Sequence, residues 1–204
     1  MMLLYEDMRA PNPRRVRIFL AEKGIGVERR HVDIMTGGHK APDMLARNPM
    51  ARIPFLELDD GRVIAESIAI CRYFEALNPE PALFGRDPVE IGMVEMWQRR
   101  VEHNLLLAVS FAFRHGNPRM AHLESPQVPA WAEANLPRIA AALAFLDSEL
   151  AHRAFIAGDA YSVADITALC AIDFMRVLKL ALGDEHAHLR RWHAQVSARP
   201  SAGA

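Results

Sequence analysis

Every strand-forming pattern in this chain falls within its first third, and everything after a proline-rich stretch reads as helix. Leu3-Leu4-Tyr5 opens as a strand. Pro13 then starts a helix, at a position where its missing N–H is no loss. Val16, Phe19 and Leu20 recur at helical spacing, and Gly24 ends the run. Val27 to Ile34 reads as a second strand with Val27, Val32 and Ile34 as its apolar members, broken by Thr36-Gly37-Gly38. A short helix over Pro42 to Arg47 precedes two more strands, Ile53 to Leu58 and Arg62 to Ile64, joined through Asp59-Asp60-Gly61, a turn that needs positive φ. Ser67 caps a helix carrying Ile68, Cys71, Tyr73, Phe74 and Leu77. Strand, helix, strand, helix, strand, strand, helix is the order of an α/β thioredoxin-like domain, a small mixed sheet with helices on both faces.

Asn78-Pro79-Glu80-Pro81, running on to Asp87-Pro88, carries little periodicity and marks a boundary. The reading is therefore a thioredoxin-like N-terminal domain over 1–80 and an all-α C-terminal domain over 88–204. In the latter, Ile91, Val94, Trp97, Val101, Leu105, Ala108 and Ala112 step by three and four, which predicts one long amphipathic helix. Ile139, Leu143, Leu146 and Leu150 repeat the pattern further on.

Several function classes drop out on composition. A net charge of -1 over 204 residues supplies no basic field for a polyphosphate, so nucleic acid is not an expected partner. Thr36-Gly37-Gly38-His39-Lys40 lacks the spacing of a phosphate loop, and the nine histidines are scattered rather than grouped around a metal. Cys71 and Cys170 lie in apolar, helix-like segments and read as reduced core thiols. The start turns acidic at Glu6-Asp7, and the greasy segment Ile166 to Leu182 is broken by Asp173, Arg176 and Lys179. The expectation is a cytoplasmic protein with no membrane partner.

Two landmarks make the pattern specific. Asn48-Pro49-Met50-Ala51-Arg52-Ile53-Pro54, followed by Glu66-Ser67-Ile68-Ala69-Ile70, resembles the glutathione transferase family, and Phe155-Ile156-Ala157-Gly158-Asp159 through Ile166 resembles that family's later helical segment. Together they cover nearly the whole chain. The resemblance implies a cytosolic, detoxifying enzyme that binds glutathione as co-substrate, joins its thiolate to an apolar electrophile and works as a homodimer. A non-catalytic glutathione-binding or regulatory protein of the same fold is the alternative.

The residue chemistry agrees piece by piece. A proline opening a strand is tolerable where its absent donor is not needed, and a cis bond there would turn the Ile53 backbone outward; the resemblance pairs that N–H and C=O with the cysteinyl backbone of glutathione. Glu66 offers a carboxylate to the γ-glutamyl ammonium, and Ser67 offers its hydroxyl and nearby N–H groups to the carboxylate. Arg52, with Lys40 and His39, supplies cations for the glycyl carboxylate. Ser162 and Asp165 form a capping box and are assigned to folding.

The activating hydroxyl that the family places before its first helix is absent. The resemblance puts Ala10 there, within Met8-Arg9-Ala10-Pro11-Asn12-Pro13, and alanine donates nothing. Three substitutes remain. The helix start around Asn12 lowers a thiol pKa through N–H groups and dipole, with Arg9 adding charge. His103 and Ser110 lie seven residues apart on one stripe of the long helix; the resemblance implies that polar residues there hold an ordered water, and a stripe facing solvent or a subunit partner is the alternative. Tyr5 carries a phenol but lies in the first strand, where a core tyrosine is the simpler reading.

Overall fold

The computed structural model describes residues 1–204. They form two compact units, Met1–Ala82 with Gly203–Ala204, and Leu83–Ala202.

The first unit is a four-stranded sheet in the order β2-β1-β3-β4, built from β1 (Leu3–Glu6), β2 (Glu28–His31), β3 (Phe55–Glu57) and β4 (Val63–Ala65). Strand β1 runs parallel to β2 and antiparallel to β3, and β3 is antiparallel to β4. Helices α1 (Pro11–Glu22) and α3 (Ser67–Leu77) pack on each other, while α2 (Pro42–Arg47) comes after a 3₁₀ turn at Gly38–Lys40. Tyr5, Val32, Met44 and Phe55 form a core cluster against which Ala41 and Ile53 pack.

Several boundaries move, β3 shortening from the expected 53–58 to Phe55–Glu57 and β4 lying at Val63–Ala65 rather than 62–64. Helix α1 begins at Pro11 rather than Pro13, because both prolines fit the first turn, where backbone N–H groups have no intrahelical partner. Strand β2 shrinks from the expected 27–34 to Glu28–His31, all four residues exposed at the sheet edge, and the apolar Val32 falls just beyond it into the core. Lys23 at the end of α1 donates to the carbonyls of Asn78 and Pro81 and so ties down the segment leaving α3.

The second unit is wholly helical around α7 (Val163–Phe174), whose residues Val163 to Ile172 are all buried, as a helix apolar on every side requires. The expected single long helix is interrupted. It runs as α4 (Pro88–Val101), a π-helical turn at Glu102–Leu106, and α5 (Leu107–Gly116). Helix α6 (Pro129–Leu150) lies along α5, and α8 (Ala187–Ser197) closes the unit. The capping box forms as expected: Ser162 accepts from Ala164 N–H, and Asp165 accepts from Ser162 N–H. Asp165 does more than cap. Its other oxygen accepts from Ile156 N–H and from the Trp192 indole, at 2.9 and 2.8 Å. Burial pushes this carboxyl up to about 6 against those donors. No helix of the chain is long and apolar enough to cross a membrane.

Candidate functional site

Strand direction gathers the candidate residues of the first unit at one edge of its sheet. Tyr5 pairs with Phe55 and Phe55 with Ala65, so the end of β1, the start of β3 and the end of β4 all meet there, and β2, parallel to β1, ends there too. The segments leaving that edge carry Asn12, His39 and Lys40, Arg52 and Ile53, and Glu66 and Ser67. Four separate stretches of sequence thus converge where the sheet ends, which is where open α/β sheets take ligands.

Ile53 precedes a cis proline, and no hydrogen bond within the protein engages its backbone. Such an unpaired edge suits an extended peptide that adds itself like a strand. The turn before it is held by Asn48, and Ala51 within it adopts φ 51°, a left-handed conformation that glycine takes without strain. Ala51→Gly is expected to stabilise the unit by about 0.5–1 kcal/mol, readable as a higher denaturation midpoint at unchanged slope. Arg52 is exposed beside this edge and Lys40 is exposed on its 3₁₀ turn, whereas His39 is buried at 3%. The reading of His39 as a surface cation is therefore corrected: its ring goes into the interior while Lys40 stays in solvent.

Ser67 does not cap α3. The capping position belongs to Glu66, at φ 69° and with no side-chain cap, and Ser67 is the first helical residue. The strained backbone at Glu66 sits beside the unpaired edge, a pairing typical of ligand clamps. Since the Ser67 hydroxyl is not spent on capping, it and the first-turn N–H groups of α3 remain for an anion.

At the start of α1 the donors are few. Pro11 and Pro13 have no N–H, Ala10 N–H is taken by the Asp7 carbonyl, and Arg14 N–H reaches back to the Ala10 carbonyl at 3.4 Å. That leaves the Asn12 N–H as the one free donor of the turn, the Asn12 side chain itself accepting from Arg15. Arg9 adds no net positive potential, contrary to the sequence reading. It grips the buried Asp7 at 2.6 Å and Asp33 at 2.5 Å, so two carboxylates offset its charge.

Burial raises the Asp7 carboxyl, but the Arg9 guanidinium and the Arg9 and Ile34 N–H groups outweigh it and hold the pKa at about 2. The unfolded value is about 3.9, so the folded state prefers the charged form. This contribution, about 2–3 kcal/mol, is complete above about pH 4 and is lost as pH falls through the folded pKa. Denaturant titrations down to about pH 2 should show the loss in the wild type and its absence in Asp7→Asn.

Tyr5 is a core phenol, as expected: 1% exposed, stacked on Phe55 at 4.4 Å and donating to Glu57 Oε2 at 2.7 Å. Burial, and then the hydrogen bond to Glu57, push its pKa up, away from any use as a thiol activator. In the second unit, His103 is exposed on the π-turn, and the Ser110 hydroxyl donates to the Leu106 carbonyl at 2.8 Å. They do not share one stripe. The extra residue of a π-turn rotates the remainder of the helix by about 100°, a displacement that apolar spacing alone does not reveal.

Known proteins match both units of the chain. Residues 10–77 match the family model for the N-terminal domain of glutathione S-transferase, and residues 111–200 match the model for its C-terminal domain. Glutathione S-transferase 2 of Saccharomyces cerevisiae is 37% identical over 203 residues, covering 98% of this chain and 87% of that protein. Among solved structures, a glutathione S-transferase domain-containing protein of Marinobacter aquaeolei superposes with a TM-score of 0.94 at 39% identity, over 98% of each chain. A glutathione S-transferase of Methylobacillus flagellatus, solved with glutathione bound, superposes with a TM-score of 0.84 at 26% identity, over 98% of this chain and 96% of that one. With both family models matched in order, and with relatives of this identity aligned from end to end, the chain belongs to the glutathione S-transferase family.

Proposed function

We propose that the protein is a glutathione transferase that docks glutathione along the sheet edge and joins its sulfur to an apolar electrophile, working as a homodimer. The observation that carries this reading is the unengaged Ile53 backbone beside the strained Glu66–Ser67 turn. That combination offers a peptide edge, a carboxylate and an anion-binding helix start in the order in which glutathione presents its own groups. Arg52 and Lys40 are the cations for the glycyl carboxylate, and the buried His39 is not one of them.

Ser67→Ala removes a hydrogen bond to a charged group, so calorimetric affinity for glutathione should fall about 10- to 100-fold with the fold intact. Unchanged affinity in that variant would sink the assignment.

Thiol activation in this reading rests on the Asn12 N–H and the start of α1, and the π-turn takes away the shared stripe on which His103 and Ser110 were expected to hold a water. Ala10→Ser adds a donor and is expected to keep or raise the rate. The absence of a hydroxyl at Ala10 also favours a second reading, a non-catalytic glutathione-binding or regulatory protein. Ultraviolet thiolate absorbance of bound glutathione against pH separates the two, since only the enzyme ionises the thiol near neutrality.

A further inference from the structure

The turn that presents Ile53 has little of its own to hold it. It joins α2 to β3, Met50 within it is 72% exposed, Arg52 is exposed, and Ala51 is held in a left-handed conformation that alanine resists. A free chain of this composition would leave that conformation, and with it the outward aim of the Ile53 backbone.

What opposes this is Asn48, a polar side chain only 4% exposed. Its Nδ2 donates to the Arg52 carbonyl at 2.8 Å, and its Oδ1 accepts from Met50 N–H at 3.3 Å. Its backbone carbonyl accepts from Ala51 N–H at 3.0 Å, and its own N–H is anchored on the Met44 carbonyl of α2 at 2.8 Å. One residue thus spans the turn from end to end and braces the strained position in the middle. The residue before it adds a second anchor, since Arg47 Nε donates to Glu57 Oε2 on β3 at 2.9 Å, the same oxygen that receives the Tyr5 hydroxyl. The turn is therefore braced from within and tied to α2 by Asn48, while Arg47 ties the end of α2 to β3.

We infer that Asn48 is the positioning residue for glutathione: it touches no ligand but holds the Arg52–Ile53 backbone in the geometry that receives the peptide. The inference rests on the proposed function. A preorganised edge binds without the entropy cost of ordering a mobile turn, so loss of Asn48 acts on affinity and leaves the sulfur chemistry alone. Both functions of the amide matter, because the donor fixes the Arg52 carbonyl and the acceptor fixes Met50. Aspartate keeps the acceptor and places a second oxygen against the Arg52 carbonyl.

The test compares wild type, Asn48→Ala, Asn48→Asp and Ser67→Ala in full-length protein, at a temperature where circular dichroism shows each to be folded. The readouts are glutathione affinity by calorimetry, and KM and kcat with a generic aryl halide. Both Asn48 variants are expected to raise Kd and KM for glutathione about tenfold, with kcat at saturating glutathione within about twofold of wild type. The thiolate pH profile of bound glutathione should not move. A purely structural role predicts a lower melting temperature with Kd unchanged, and that result in either Asn48 variant overturns the inference. Ser67→Ala separates the two levels: if it weakens binding while the Asn48 variants do not, the positioning role fails and the glutathione site stands. If the wild type itself does not bind glutathione, the proposed function fails and this inference with it.

Discussion

Replacing Asp165 by alanine is expected to cost about 3–5 kcal/mol of stability, more than loss of an ordinary helix cap, whose value is on the order of 1 kcal/mol. The difference comes from the number of donors this carboxylate holds. Its two oxygens accept from Ile156 N–H, Ser162 N–H, the Ser162 hydroxyl and the Trp192 indole, all inside the second unit. Alanine removes every acceptor at once and strands buried donors, each of which costs about 1–3 kcal/mol when left unpaired. Helix α7 then loses its start, and α8 loses the anchor that Trp192 provides. Urea denaturation reads the effect directly. A loss near 1 kcal/mol would mean that the Ile156 and Trp192 contacts contribute nothing. Glutathione affinity of the remaining folded protein should stay near wild type; a selective loss of binding with no loss of stability would move Asp165 into the site.

The second large effect lies in the first unit. Arg17 Nη1 meets Glu6 Oε2 at 2.5 Å, both side chains being 3% exposed, and Arg17 Nη2 donates to the Met8 carbonyl at 3.2 Å. Arg29 approaches the other Glu6 oxygen at 3.6 Å from the exposed edge strand. Strand β1 and helix α1 are thereby joined across the loop that carries Arg9 and Ala10. Glu6→Ala leaves a buried guanidinium without its counter-charge, and a loss of about 3–5 kcal/mol is expected. The double variant Glu6→Met with Arg17→Met removes both charges and should recover most of that loss, because two well-packed apolar chains need no partner. If the single and double variants fall equally, packing rather than charge holds this corner. The Arg17 Nε, buried with no partner, shows that the pair is not fully satisfied even in the native chain.

The sequence reading and the structure agree where one signal dominates. Strand order, the Gly24 terminator and the Ser162–Asp165 box depend on local patterns of apolar residues, glycine and capping side chains, and each appears where those patterns place it. The departures come where a tertiary term decides. Two closely spaced prolines both suit a helix start, so the true first residue of α1 could not be told from Pro13. The apolar residues Val101, Leu105 and Ala108 keep a spacing of three and four in sequence across the π-turn, so nothing in the apolar pattern announced it. The Ser67 hydroxyl resembled a cap because serine usually is one, yet the strained Glu66 took that position. Arg9 read as a free charge because Asp33, twenty-four residues on, was not visibly its neighbour. The bracing role of Asn48 was equally hidden: the motif marks the residue, but only the fold shows that its amide crosses the turn.

The placement of sulfur bears on survival among reactive compounds. An electrophile that glutathione captures can also alkylate an accessible protein thiolate, so an enzyme with the proposed activity is exposed to its own substrates. Here Cys71 in α3 and Cys170 in α7 are at most 1% exposed, and Ala10 stands where the family resemblance expects a hydroxyl or thiol. Under the proposed function, the only thiol an electrophile can reach is then the one that glutathione brings and that leaves with the product. Inactivation by self-alkylation has no thiol to begin from.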